Sequence, residues 1–257
     1  MDKRKRNLFA VLTGIFITNA ILAEMIGTKI FSLEKTLGFD PAQIQILGDY
    51  ILDFNLTAGV LIWPVVFLST DIINEYFGKK GVKRISYFTV ILIAYSFAII
   101  WMSIGLAPAD FWQDVNKGDT DFDINFAFSR IFGQGINIII GSLFAFLIGQ
   151  LLDAYVFQRI KRITGQKMVW LRATGATLIS QLVDSYVVLF VAFYLMVSEE
   201  YKWPLEQVLA VGTLNYVYKF VVALLLTPLV YLGHYLIDRY LGKELAQEMK
   251  NEAINVD

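Results

Sequence analysis

The stretch LTAGVLIWPVVFLSTDIINEYFG, residues 56–78, decides how the rest of the chain is read. Its first fifteen or so residues are apolar enough for a bilayer interior, and it then carries Asp71, Asn74 and Glu75 before ending at Gly78. Residues three and four apart share a helix face, so these three groups form one polar patch about a turn long. A carboxylate inside a membrane helix costs at least ~2.5 kcal/mol on insertion scales, and two occur here. They also fall toward the C-terminal end of the helix, where the macrodipole already disfavours negative charge. Stability alone does not explain the placement. Two readings follow: a helix that ends near Thr70 with its acids among lipid headgroups, or a polar site facing the inside of a helix bundle.

Composition puts the remainder in the same class. The chain has 257 residues, 56% hydrophobic and only 18% charged, with a mean hydropathy of +0.56. Soluble domains are less apolar and carry more charge. Six spans are expected, at about 8–30, 56–78, 84–106, 131–157, 171–197 and 206–236, each near the ~20 residues a bilayer requires. The expected fold is therefore an all-α integral membrane protein, a six-helix transmembrane bundle forming one domain over 1–257. Two long outer segments, 31–55 and 108–130, join its spans. In the first, Ile44, Leu47, Ile51 and Leu52 have a helical rhythm that suits the membrane interface. The second is acidic and aromatic, without the twelve-residue pattern of a calcium loop.

Basic residues fix the orientation. Lys3–Arg6 precede the first span; Lys79, Lys80, Lys83 and Arg84 join the second to the third. Arg159, Lys161, Arg162, Lys167 and Arg172 surround the fourth connection, and Arg239, Lys243 and Lys250 follow the sixth. The alternate connections are acidic. The positive-inside rule places both termini in the cytoplasm, and the first apolar run is too long for a signal peptide, so it is read as a retained helix.

With no cysteine and one histidine, thiolate and multi-histidine metal sites are excluded, and no glycine cluster matches a phosphate-binding loop. No cofactor is expected. Polar residues recur inside later spans: Gln150 and Asp153, Gln181 and Asp184, Asn215 and Lys219. Asp184 and Lys219 fall at similar depth, and each alone is costly, so they are expected to pair. Glu24 and Lys29, near the outer end of the first span, suit interfacial anchoring, and Pro64 is expected to kink the second span. Gln150-Leu-Leu-Asp153-Ala-Tyr155 resembles Gln181-Leu-Val-Asp184-Ser-Tyr186, and residues 69–76 are a looser relative. This matches a 3+3 inverted repeat with its site at the seam; the plainer alternative is hydrogen-bonding between neighbouring helices.

Pro64 followed by Asp71-x-x-Asn74-Glu75-Tyr76-x-Gly78 and a basic turn resembles the queuosine-precursor transporters, also described as vitamin-uptake transporters. Gln181-x-x-Asp184-Ser185 fits the same family, and the resemblance covers most of the chain. It implies import of 7-cyano- or 7-aminomethyl-7-deazaguanine across a bacterial inner membrane. The extended outer segments depart from shorter members. A 7-deazaguanine offers a donor pair that one carboxylate accepts, a carbonyl, and a flat face. The expected site has Glu75 or Asp184 on the guanine-like edge, with Asn74, Gln181 and Asn215 completing the polar set. Trp63 or Tyr186 stacks, and Asp71 or Asp153 takes a cationic aminomethyl group. Partners are then a nucleobase-like molecule and lipid rather than nucleic acid, and a two-fold dimer is compatible with the size. The alternatives are a binding subunit that needs a separate ATPase, an intramembrane aspartyl enzyme using Asp71 with Asp153 or Asp184, and a ligand-free scaffold. An enzyme is disfavoured because glycine-flanked aspartyl motifs are absent.

Overall fold

The computed structural model, which describes residues 3–45, 50–117, 122–133, 135–165 and 168–255, is organised around one 42-residue helical element. That element, α3 (Trp63–Ile104), is broken at Gly78, where φ is 68° and ψ −177°. This is backbone that only glycine adopts without strain, and a Cβ here would lie 2.9 Å from the carbonyl oxygen of Ala253. The helix begins at Trp63, not near residue 56. Pro64 consequently sits in the first turn, where its missing N–H has no intrahelical partner to lose. The kink expected at Pro64 does not arise; the break is fourteen residues later.

Before α3 come α1 (Lys3–Ile26), β1 (Ile30–Ser32), α2 (Leu33–Leu37), β2 (Ile44–Gln45), β3 (Ile51–Leu52), β4 (Asn55–Thr57) and a 3-10 turn over Ala58–Leu61. After it follow α4 (Asp110–Lys117), α5 (Ile124–Phe132), α6 (Ile136–Thr164), α7 (Val169–Phe190) with a π turn to Leu195, α8 (Leu205–Leu241) and α9 (Lys243–Asn255). The chain is mostly helical. Among the described residues, five helices are long and apolar enough to cross a membrane: α1, α3, α6, α7 with its π turn, and α8.

The outer segment 31–55 is not an interfacial helix. β1 pairs antiparallel with β4, Phe31 opposite Leu56, and β2 pairs with β3, Ile44 opposite Leu52. The Glu34 carboxylate accepts the Phe54 N–H at 2.7 Å, which ties α2 across the loop and overrides the apolar rhythm of the segment. Leu47 lies outside the described residues. The second segment contains α4 and α5; Asp119 and Asp121 also lie outside the described residues.

Direction along the bundle follows from named contacts. Trp63 lies beside Phe146 of α6, ring centroids 5.8 Å apart, and Gly59 packs on Ala23 at the end of α1. Phe77 instead packs on Phe9, near the start of α1, at 4.9 Å. Ile104, at the far end of α3, lies against Gly133 just ahead of α6. The two ends of α3 therefore lie toward the same end of α6, with Gly78 at the opposite end. Both chain ends gather near Gly78: Arg4 donates to the Leu241 carbonyl at 3.1 Å, Lys5 pairs with Glu252, and Met249 and Ala253 of α9 are buried.

Glu24 is a correction. It is buried, accepting from the Ser142 hydroxyl at 2.8 Å, and so belongs to the α1–α6 contact and not to the interface.

A cleft between three helices, and a sealed cluster below it

The polar residues of α3 separate into two environments one helical turn apart. At the lower one, near Gly78, Glu75 is fully buried. Arg172 of α7 grips it with both arms, Nε to Oε2 at 3.0 Å and Nη2 to Oε1 at 2.8 Å. Lys161 of α6 adds a third contact, 3.3 Å from Oε2, and donates to the Glu75 carbonyl at 2.8 Å. Arg172 also donates to the Gly165 carbonyl. Two cations outweigh the adverse helix dipole at this position. Asn74 donates to the Ala154 carbonyl at 3.2 Å and accepts from Gln158 at 2.7 Å. Below them, the Tyr76 hydroxyl donates to Asp238 at 2.7 Å, and Lys250 of α9 holds the other carboxylate oxygen. Glu75 and Asn74, expected at the substrate, are committed to helix–helix contacts. Arg172 and Lys161, counted above as loop charges, are 1% and 0% exposed. They lie within a turn of the helix ends, where a one-dimensional charge count cannot tell an inward from an outward side chain.

The upper environment opens on a cleft between the first half of α3, α7 and α8. Two adjoining cavities make it up, sharing Phe67, Thr177, Ala223 and Leu226. One, of about 360 Å³ including its open side, is walled by Trp63 and Pro64 of α3, Gln181 of α7, and Tyr218 and Lys219 of α8. The other, about 270 Å³ likewise including its open side, has Asp71 and Thr174 in its wall. Trp63 is stacked on Phe67, 5.8 Å between centroids at 16°. Lys219 pairs with Asp184, as depth along the helices anticipates.

Asp153 of α6 accepts the Ser180 hydroxyl at 3.1 Å. Gln150 accepts from Thr70 at 2.8 Å, closing the α3–α6 seam. Tyr186 packs its ring on Gly212, where a Cβ would come within 2.6 Å, and its hydroxyl meets Thr213 at 2.9 Å. Asn215, half-buried on α8, lines neither cavity. Of the eleven residues expected at a site, Trp63, Asp71, Gln181 and Lys219 line the cleft, Asp184 joins it through Lys219, and Asn74, Glu75, Gln150, Asp153 and Tyr186 bond to neighbouring helices around it. Phe67 and Tyr218 are additions. In an apolar span an aromatic carries no signal to mark it as cleft-lining.

A bundle of membrane-length helices with an apolar cleft and a few placed polar groups is the architecture of a multi-pass membrane protein with a small-molecule site. The family described as putative vitamin uptake transporter matches residues 57–233, and the chain belongs to it. Curated relatives include the "Probable queuosine precursor transporter" of Bacillus subtilis (strain 168), 29% identical over 196 residues, which are 74% of this chain and 77% of that one. The protein of the same name from Haemophilus influenzae is 25% identical over 67% of this chain and 66% of its own length. The "Queuosine precursor transporter" of Escherichia coli (strain K12) is 28% identical over 56% and 58% respectively. No solved structure is detectably similar.

Proposed function

We propose that this chain imports a 7-deazaguanine precursor of queuosine, 7-cyano- or 7-aminomethyl-substituted, across a bacterial inner membrane through the cleft between α3, α7 and α8. The observation that carries the reading is the meeting of Trp63 and Phe67 with Asp71, Gln181 and the Asp184–Lys219 pair around one opening. The stacked aromatics suit a flat heterocycle. Asp71 accepts the paired donors of the guanine-like edge, a role that Glu75 cannot share while Arg172 and Lys161 occupy it. Gln181, whose carbonyl oxygen has no partner, supplies the amide. The relatives' names favour the same ligand class.

On this reading α3 is two spans that double back at Gly78, which makes six. The first half is 15 residues, about 22 Å at 1.5 Å per residue, short for a bilayer and typical of the interrupted helices that line transporter sites. Both termini are cytoplasmic, consistent with their contact at the Gly78 end and with the basic residues there. Pro228 removes one backbone hydrogen bond from α8 beside the cleft, a point where α8 can move aside to admit a bicyclic base.

The test is uptake of radiolabelled 7-cyano-7-deazaguanine by liposomes containing the purified chain alone. Saturable uptake that guanine analogues inhibit, biotin and riboflavin do not, and Asp71→Asn abolishes is the expected result. Binding without uptake until an ATPase is added would favour the partner-dependent alternative. Competition by a vitamin alone would overturn the substrate.

A further inference from the structure

At the back of the cleft lies a pair of acids, of which only Asp71 faces the opening. Asp71 and Asp153, from α3 and α6, are 3% and 5% exposed. They sit at one level of the α3–α6 seam, bracketed by the Thr70–Gln150 and Asn74–Ala154 contacts. Asp71 Oδ1 and Asp153 Oδ2 have no hydrogen-bond partner, and neither do Gln181 Oε1 and Ser185 Oγ on α7. The hydroxyls of Ser180 and Thr177 on α7 reach Asp153.

The charged groups around the pair are otherwise engaged. On α3, Glu75 is held by Arg172 of α7 and Lys161 of α6. On α7, Asp184 is held by Lys219 of α8, and on α1, Glu24 accepts from Ser142. Three buried or half-buried cations thus serve two acids, and the Asp71–Asp153 pair has no cationic side chain of its own among the described residues. Two carboxylates this deep cannot both stay ionised and unpaired; they need positive charge between them.

We propose that Asp71 and Asp153 form a cation site that holds one proton or one sodium ion beside the substrate cleft. Asp71 belongs to both the site and the cleft wall. With the positive charge placed on the Asp153 side, Asp71 remains a full acceptor for a ligand's paired donors, so the cation and the ligand favour each other's binding. This gives transport a coupling ion, a role that rests on the import reading above; the cation site itself does not.

The test therefore needs no substrate. Infrared spectra of the purified chain in lipid nanodiscs at neutral pH, in choline chloride, report the carbonyl stretch of any protonated carboxyl group. A proton at the pair appears as such a band, lost in both Asp71→Asn and Asp153→Asn. A sodium ion appears as an upward shift in melting temperature with sodium chloride over choline chloride, also lost in both variants. The wild-type spectra and melting curves stand even if a variant folds poorly, and Ser180→Ala, which removes one of the hydroxyls on Asp153, shifts the band or weakens the sodium effect. A wild-type protein with neither signal, or with a band that both Asp variants retain, overturns the proposal.

Discussion

Asp71 and Glu75 lie one turn apart on the same helix, both buried, and their surroundings are opposites. Glu75 has two cations, Arg172 and Lys161, on its carboxylate. Asp71 has an unpartnered oxygen and a cavity in front of it. A carboxylate saturated from two other helices is a lock: removing any member strands the rest in a low-dielectric interior. One left unsatisfied next to open space is poised for something that comes and goes. The sequence motif that joins the two residues conceals the division, since spacing reports which side chains share a helix face and not which neighbours await them.

The largest effect is expected at the lock. Arg172→Gln leaves Glu75 with Lys161 as its one counter-charge, and breaking a buried pair from one side costs about 3–5 kcal/mol. Yield of folded protein in detergent and its melting temperature should fall sharply. Adding Glu75→Gln to the same chain leaves the fully buried Lys161 with no counter-charge and should deepen the loss. A double variant as stable as Arg172→Gln alone would mean that the cluster contributes packing more than charge.

That cluster was only half legible beforehand. Glu75 stood out because an acid in an apolar run is conspicuous. Its partners did not, because Lys161 and Arg172 sit among the basic residues of a connection where orientation alone accounts for a positive charge. The Asp184–Lys219 pair was readable for the opposite reason: both lie far from any loop, so rise per residue fixes their depth. The start of α3 was hidden by the apolar residues 56–62, which read as membrane but fold as β4 and a 3-10 turn. The β1–β4 pairing spans a loop of more than twenty residues, and no local period records it. Of the cleft, its polar members were visible one by one and their common opening was not, because an opening is a property of three helices packed together.

The Asp184–Lys219 pair, at the cleft wall, is less buried than the lock, with side chains 23% and 21% exposed. Partial solvation weakens it, so Lys219→Gln is expected to cost about 1 kcal/mol, the upper end for solvated pairs. Its melting temperature should fall between those of Arg172→Gln and the wild type. A loss as large as that of Arg172→Gln would place this pair with the lock.

Glu34, outside the spans, shows the same contrast in a wet setting. Burial pushes its carboxyl up, but hydrogen bonds from the Phe54 N–H, its own N–H and the Ser32 hydroxyl outweigh that and hold it below its usual 4.5. A carboxyl whose value is lowered by folding adds stability that is fully present above the unfolded value and is lost as pH falls through the folded one. Acidification from pH 5 through and below 4.5 should loosen the α2–Phe54 connection, read as faster hydrogen exchange at the Phe54 amide. Exchange that stays constant over that window, or a Glu34→Gln variant that matches the wild type at neutral pH, would remove Glu34 as the tie.

The smallest change in stability is expected at Asp71 itself. Asn has nearly the shape of Asp, and at this position the change discards a buried carboxylate whose Oδ1 has no hydrogen-bond partner, so Asp71→Asn should leave the melting temperature near the wild-type value or raise it. Uptake, in contrast, should disappear, because an amide cannot accept two neighbouring donors as a carboxylate does. A destabilisation approaching that of Arg172→Gln would mean that Asp71 is a second lock, and the division between the two halves of this motif would collapse.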